Sequence, residues 1–155
     1  MLVPSKTDAG RLSVVGARLF SMTMVLSDVE AAVRRSWGAD TCTPEFRERW
    51  SAENPARDQC GVTAMVVNDL FGGELMVGDV YLDGVRTDMH WWNRLAGGIE
   101  IDLTREQFEP AELVTEGAPV PRPPVRGARL RKEYEVLRGR VCAELGIPDE
   151  KEEPW

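Results

Sequence analysis

The run CGVTAMVVNDLF, from Cys60 to Phe71, is apolar on nearly all sides, with Thr63, Asn68 and Asp69 as its strongly polar members, and it stops at Gly72-Gly73. An element with no polar face has to be covered on every side, so the rest of the chain must be built around it. The β-branched Val62, Val66 and Val67 lower helix propensity and would also suit a strand, but the length of the run and its glycine stop predict a helix. Downstream, ELMVGDVYL (74–82), VRTDMHWWN (85–93) and IEIDL (99–103) have strand composition and are separated by Asp83-Gly84 and by Ala96-Gly97-Gly98. The predicted fold is therefore α+β, a buried helix followed by an antiparallel meander, with Val62, Val66, Val67, Leu70, Ile99, Ile101 and Leu103 in the core.

The flanks follow from the same signals. In LSDVEAAVRRSWG, Ser27 and Glu30 read as a capping box, Leu26, Val29, Val33 and Trp37 recur at helical spacing, and Gly38 ends the helix. TPEFRERW predicts a second, short helix with Thr43 as N-cap and Pro44 at its first position. Residues 19–110 form the core domain in this reading. Residues 111–127, carrying Pro119, Pro121, Pro123 and Pro124, read as a stiff connector rather than a packed element. Residues 128–146 follow as a helix with the apolar stripe Leu130, Tyr134, Leu137, Val141 and Leu145, stopped by Gly146. That stripe should dock on the core or on a second copy, which leaves a homodimer through this helix open. Residues 1–18 show no lasting period and predict a flexible arm, and 147–155 predict a solvated acidic tail.

Composition removes several function classes. At 155 residues the chain is the size of one domain, and its net charge of −7 disfavours a general grip on nucleic acid phosphates or on an anionic membrane surface. The first residues lack a basic start and apolar h-region, and no window is long enough to span a bilayer, so a cytoplasmic protein is expected. Cys42, Cys60 and Cys142 are odd in number and widely spaced, which does not make a disulfide framework. With a single histidine and no C-x-x-C pair, neither a metal nor another cofactor is expected, and a small-molecule substrate is the expected partner.

The single histidine, His90, carries the chemical argument. A hairpin looped through Leu95, Ala96 and Gly97 sets Trp92 opposite Glu100 and His90 opposite Asp102. Directly opposite Cβ atoms lie about 4.5–5.5 Å apart, within reach of an imidazole–carboxylate hydrogen bond. A carboxylate-held imidazole is half of a nucleophilic site, and Cys60 is placed to supply the other half. It opens the buried helix, where unpaired amide N–H groups favour a thiolate and can hold an oxyanion, with Gln59 as a further donor. Asp58, two residues earlier, adds a negative charge that raises a thiol pKa.

The blocks NPARDQCGVTAMVVNDLFGGE and HWWNRLAGGIEIDLTREQF resemble the YunG family of small bacterial proteins. Its marks are a Gln-Cys start, Phe-Gly-Gly-Glu, a strand histidine and an Ile-Asp-Leu-Thr end, and the resemblance covers roughly Val25 to Phe108. More distantly, Cys60 at a helix start, His90 before an aromatic and Asp102-Leu103-Thr104 resemble the transglutaminase-like branch of papain-like folds. That second resemblance implies acyl transfer or amide hydrolysis through a thioester. Cys60 would be the nucleophile, His90 the base and Asp102 its orienter, and Asn54 stands near the place of the papain-like oxyanion glutamine.

Each of these residues also has a plainer reading. Cys60 in an apolar helix can be a small buried hydrophobe, and His90 can satisfy a carbonyl between two tryptophans. Asp102 can cap a turn at REQF, and Gln59 can bond the backbone as a loop residue. Three functions are thus expected to compete: a thiol-dependent acyltransferase or amidohydrolase, a small-ligand-binding module with His90 and the tryptophans, Trp92 among them, as contacts, and an interaction subunit using the Pro-rich segment and the last helix.

Overall fold

Helix α2 (Cys60–Phe71) forms where its composition demands, and three elements cover it in the computed structural model, which describes residues 23–125 and 127–150. The arm predicted for 1–18 and the end of the tail, 151–155, lie outside the described residues. Helix α1 (Leu26–Ser36) and helix α3 (Arg131–Leu145) pack on each other and α3 also packs on α2. Their stripes meet in one cluster: Val29, Ala32, Val33 and Trp37 from the first, Val62 and Val66 from α2, Tyr134, Leu137 and Val141 from the last. Thr63, a polar residue inside the buried helix, is satisfied there by the Trp37 indole N–H, which donates to its Oγ1 at 2.9 Å.

Two capping expectations fail. α1 begins one residue earlier than its supposed cap, so Ser27 is helical, Val25 occupies the N-cap and no side chain closes the end. The helix predicted after Thr43 is a single stretch of 3-10 turn, Pro44–Arg49, also without a side-chain cap and without a buried residue. With no apolar stripe to bury, it gains nothing from continuing as an α-helix.

The sheet is antiparallel, and β1 (Glu74–Leu82) is its centre. On one side lies β2 (Val85–Arg94), followed by the two-residue β3 (Glu100–Ile101). On the other side β1 pairs with β4 (Glu112–Val114) and, further along, with β5 (Ala118–Val120). These last two strands correct the reading of 111–127 as a connector only: residues 112–114 and 118–120 of it are sheet. Proline is tolerated because both strands are short and at the edge, where Pro119 stands opposite Met76 and leaves no ladder partner unpaired on an outer side.

Ile99 is a second correction. It is 63% exposed, because the chain turns at Ala96–Gly98 and Ile99 lies at the mouth of that turn, its carbonyl accepting from the Leu95 N–H at 2.8 Å. The three helices share one apolar cluster, while α2 also packs on β2 and β1 as expected; Val62, Val66 and Val67 are buried, and Leu70 and Leu103 pack against the cluster from its margin.

The C-terminal helix docks on its own chain. Its apolar stripe is covered by α1 and α2, so the face that would have joined a second copy is occupied. Beyond it, Arg138 reaches the Glu150 carbonyl at 2.6 Å and Asp149 at 3.5 Å, which ties the first part of the supposed tail to the helix. Deleting 148–155 is expected to change unfolding free energy by less than about 1 kcal/mol in urea titration, because surface ion pairs contribute little. A larger loss would show that the tail packs on the core.

Candidate active site

Side chains on β2 alternate between faces, and the alternation can be assigned. Asn93 donates from Nδ2 to the Ala64 carbonyl of α2 at 2.9 Å, so Asn93 and Trp91 face that helix while His90 and Trp92 face away from it. On that far side residues 102–117, which include β4, cover the strand. His90 has no solvent exposure. Its ring stacks on Trp92 at 5.5 Å and takes the edge of Phe108 at 4.7 Å.

His90 and Asp102 meet as the hairpin reading required, by a different register. The pairs formed are Asn93–Ile101 and Arg94–Glu100, two residues away from those predicted, because the loop is centred on Gly97 rather than Ala96. A slip of two residues keeps every side chain on its face, so His90 Nε2 still lies 2.6 Å from Asp102 Oδ2. The other carboxylate oxygen accepts from the Thr104 amide at 3.1 Å and from its hydroxyl at 3.3 Å. Asp102 therefore ends β3, bends the chain into the 3-10 turn Arg105–Gln107, and holds the imidazole.

An ionised carboxylate only accepts, so the proton sits on Nε2 and Nδ1 carries a lone pair. That lone pair faces Gln107, whose Nε2 lies 3.4 Å away and also donates to the Thr104 carbonyl at 3.0 Å. The same amide accepts through Oε1 from the Asp58 N–H at 3.2 Å. Gln107 thus links the histidine to the turn that presents Cys60. Nothing near it in sequence signals this role, since both partners are distant along the chain.

Cys60 is the first residue of α2, reached through Asp58 in the left-handed region at φ 59°. No side chain caps this helix start. The pairing of β2 with β3 stops at Ile101, which leaves the Trp91 N–H free at the strand edge to bond the Cys60 sulfur. Cys60, Asp58, Trp91, Gln107 and Phe108 line one cavity of about 560 Å³, and Cys60 as a residue is half-buried there. Burial pushes the thiol up to about 12, and the carboxylates Asp88, Asp102 and Asp58 add to that against the Trp91 bond. The effect expected of Asp58 has the right sign but is smaller than that of burial. Asp58 is itself raised above the usual carboxylate range, again chiefly by burial. Among the described residues no hydrogen bond joins the Cys60 sulfur to the imidazole.

The remaining candidates fall elsewhere. Gln59 is completely buried, with Oε1 accepting from the Thr41 hydroxyl at 2.8 Å and Nε2 donating to the Gly38 carbonyl at 2.9 Å. Both ends of its amide are engaged and it does not line the Cys60 cavity, so it is not placed to donate to an oxyanion there. Asn54 donates to the Gln107 carbonyl at 3.0 Å and fixes the loop rather than lining the cavity. Arg57 reinforces that tie, reaching the same carbonyl at 3.1 Å and gripping Glu112 with two bonds of 2.7 and 2.9 Å. Trp92 lies behind the histidine, its indole N–H donating to Glu100 at 2.9 Å, whereas Trp91 faces the cavity. Alternation foretold that the two tryptophans diverge; which one meets a ligand depended on where α2 packs.

No helix among the described residues is long and apolar enough to cross a membrane. No solved structure matches the chain. It is similar to a Bacillus subtilis (strain 168) protein named "Uncharacterized protein YunG", 31% identical over 84 residues, which is 54% of this chain and 64% of that protein. The alignment thus spans somewhat less than two thirds of that relative. A family model described as YunG protein matches residues 25–146, a span that takes in α1, the Cys60 helix, the whole sheet and α3. With most of its length covered by that model, the chain belongs to the YunG family.

Proposed function

We propose that the protein is a thiol-dependent acyltransferase or amidohydrolase of transglutaminase-like design, acting on an amide, ester or thioester through Cys60, His90 and Asp102. The observation that carries the reading is the buried His90–Asp102 pair, held at 2.6 Å with Nδ1 left as an acceptor on the side of Gln107 and the Cys60 turn. A buried histidine locked in one tautomer by a carboxylate is what a general base for a thiol requires.

With its thiol raised by burial, Cys60 rests as S–H rather than as a preformed thiolate. The sulfur attacks the carbonyl carbon as its proton passes to His90 Nδ1, a transfer that requires the imidazole lone pair to turn from Gln107 to the sulfur in the substrate complex, and Asp102 stabilises the imidazolium that forms. The developing oxyanion is received by the uncapped amides at the start of α2. Collapse breaks the carbonyl bond to the leaving amine, alcohol or thiol, which takes the proton from His90. Water or another acceptor then attacks the thioester with His90 as base, and the thiol is restored.

Alkylation by iodoacetamide tests the base without a known substrate. In the parent, Cys60 should react well below the pH at which its raised thiol titrates, through proton transfer to His90. In His90→Ala that component should disappear, leaving a rate that climbs only towards high pH. Superimposable profiles with the fold intact would sink the triad. They would favour the second reading, a ligand-binding module with an inert cysteine, which the raised thiol supports.

A further inference from the structure

Beside the Cys60 cavity lies a second one of about 320 Å³, walled by Val62 and Met65 of α2, Trp91 of β2, Val125 and Leu130 of the segment leading into α3, and Tyr134 of α3 itself. The two cavities share Gly61, Met89, Trp91, Arg129 and Leu130. Gly61, next to the nucleophile, sits on the boundary, and a Cβ there would stand 3.4 Å from Leu130 Cδ1. A side chain at that position would narrow the passage between the two.

We propose that this second, apolar cavity receives the acyl group of the substrate, and that the substrate class is therefore an apolar acyl ester, amide or thioester. This rests on the reading of Cys60 as nucleophile. With the carbonyl carbon at the sulfur, the leaving group lies in the Cys60 cavity, whose walls include Arg49, Arg57, Asp58, Asp88 and Glu112. The acyl chain is then the part that passes over Gly61 into the apolar chamber. Its size suits a chain of several carbons, since small-ligand sites begin at about 300 Å³. The Pro-rich segment supplies part of the wall through Pro123 and Val125, and the residues just after it add Ala128 and Leu130.

The test is a pair of p-nitrophenyl esters, acetate and hexanoate. Each methylene removed from water contributes roughly fourfold in binding, so the hexanoate should show a kcat/KM at least tenfold higher than the acetate even with incomplete burial. Ala128→Phe fills the chamber and lines it without bordering the Cys60 cavity, and it should bring that ratio to about one or below. Met65→Phe, from the opposite wall, gives the same comparison if the first variant melts early. Octanoate binding to Cys60→Ala protein, by calorimetry, is read in parallel, with and without Ala128→Phe. A flat ester series together with no octanoate binding overturns the acyl chamber while leaving Cys60 as nucleophile. Octanoate bound and lost in Ala128→Phe, with neither ester turned over, upholds the chamber as an apolar-chain site and overturns the acyl-transfer reading instead.

Discussion

Asp102→Asn is expected to lower turnover of an acyl ester by roughly 10³–10⁴ while leaving melting nearly unchanged, the size of effect that follows when a triad histidine loses its orienting carboxylate. The asymmetry between rate and stability comes from the two jobs of this side chain. Its Oδ1 accepts from the Thr104 amide at 3.1 Å, and asparagine retains an oxygen for that turn. The amide nitrogen then replaces Oδ2 at 2.6 Å from the imidazole. That nitrogen donates, so His90 must accept at Nε2 and move its proton to Nδ1. An Nδ1–H cannot take the Cys60 proton, and no carboxylate remains to stabilise an imidazolium. Combined with Cys60→Ala the losses should not add, because the residues act as one unit. Full activity in Asp102→Asn, or an additive double variant, would remove the histidine from the mechanism.

Trp92→Ala should lower unfolding free energy by about 3–5 kcal/mol in urea titration. The ring is 8% exposed and stacks on His90, with its N–H donating to Glu100. It also fits a slot cut for it: a Cβ on Gly117 would come within 2.2 Å of Trp92 Cζ2, and one on Gly78 within 2.9 Å of Cη2. Truncation leaves a cavity that these glycines cannot close and admits water to the back of the His90–Asp102 pair. Trp92→Phe retains most of the apolar area and gives up the Glu100 bond, so it should cost less. A loss below about 1 kcal/mol for the alanine variant would mean that the histidine is shielded by Phe108 and the loop alone.

Local chemistry decided the parts of the fold that depend on local chemistry. The bounds of α2 and β1 were readable because an all-round apolar run, the glycines Gly72-Gly73 and the Asp83-Gly84 turn each constrain the backbone within a few residues. The His90–Asp102 contact was readable for a related reason. A hairpin loop sets which residues share a face, and an error of two residues in register preserves that parity. The sequence also determined which residues of α1 and α3 are buried, since Val29, Val33, Leu137 and Val141 recur at the helical period.

What those stripes pack against lay beyond such rules. Three apolar helix faces can be joined in several ways, and only the assembled chain chose to stack α1 and α3 on α2 and to use the sheet's far side for His90 and Trp92. The same is true of every group whose partner is remote in sequence. Gln59 and Gln107 are both buried amides with all the donors and acceptors that an oxyanion site could use. Thr41 and Gly38 claim the first, and His90, Thr104 and Asp58 surround the second. A hydrogen-bonding side chain takes whichever partner folding brings within about 3 Å, so its role is a property of the packed structure rather than of its neighbours in the chain. The Pro-rich segment makes the same point for the backbone: its prolines predicted stiffness, while its pairing with β1 and its place in the chamber wall required an exposed sheet edge and the Cys60 helix to be there first.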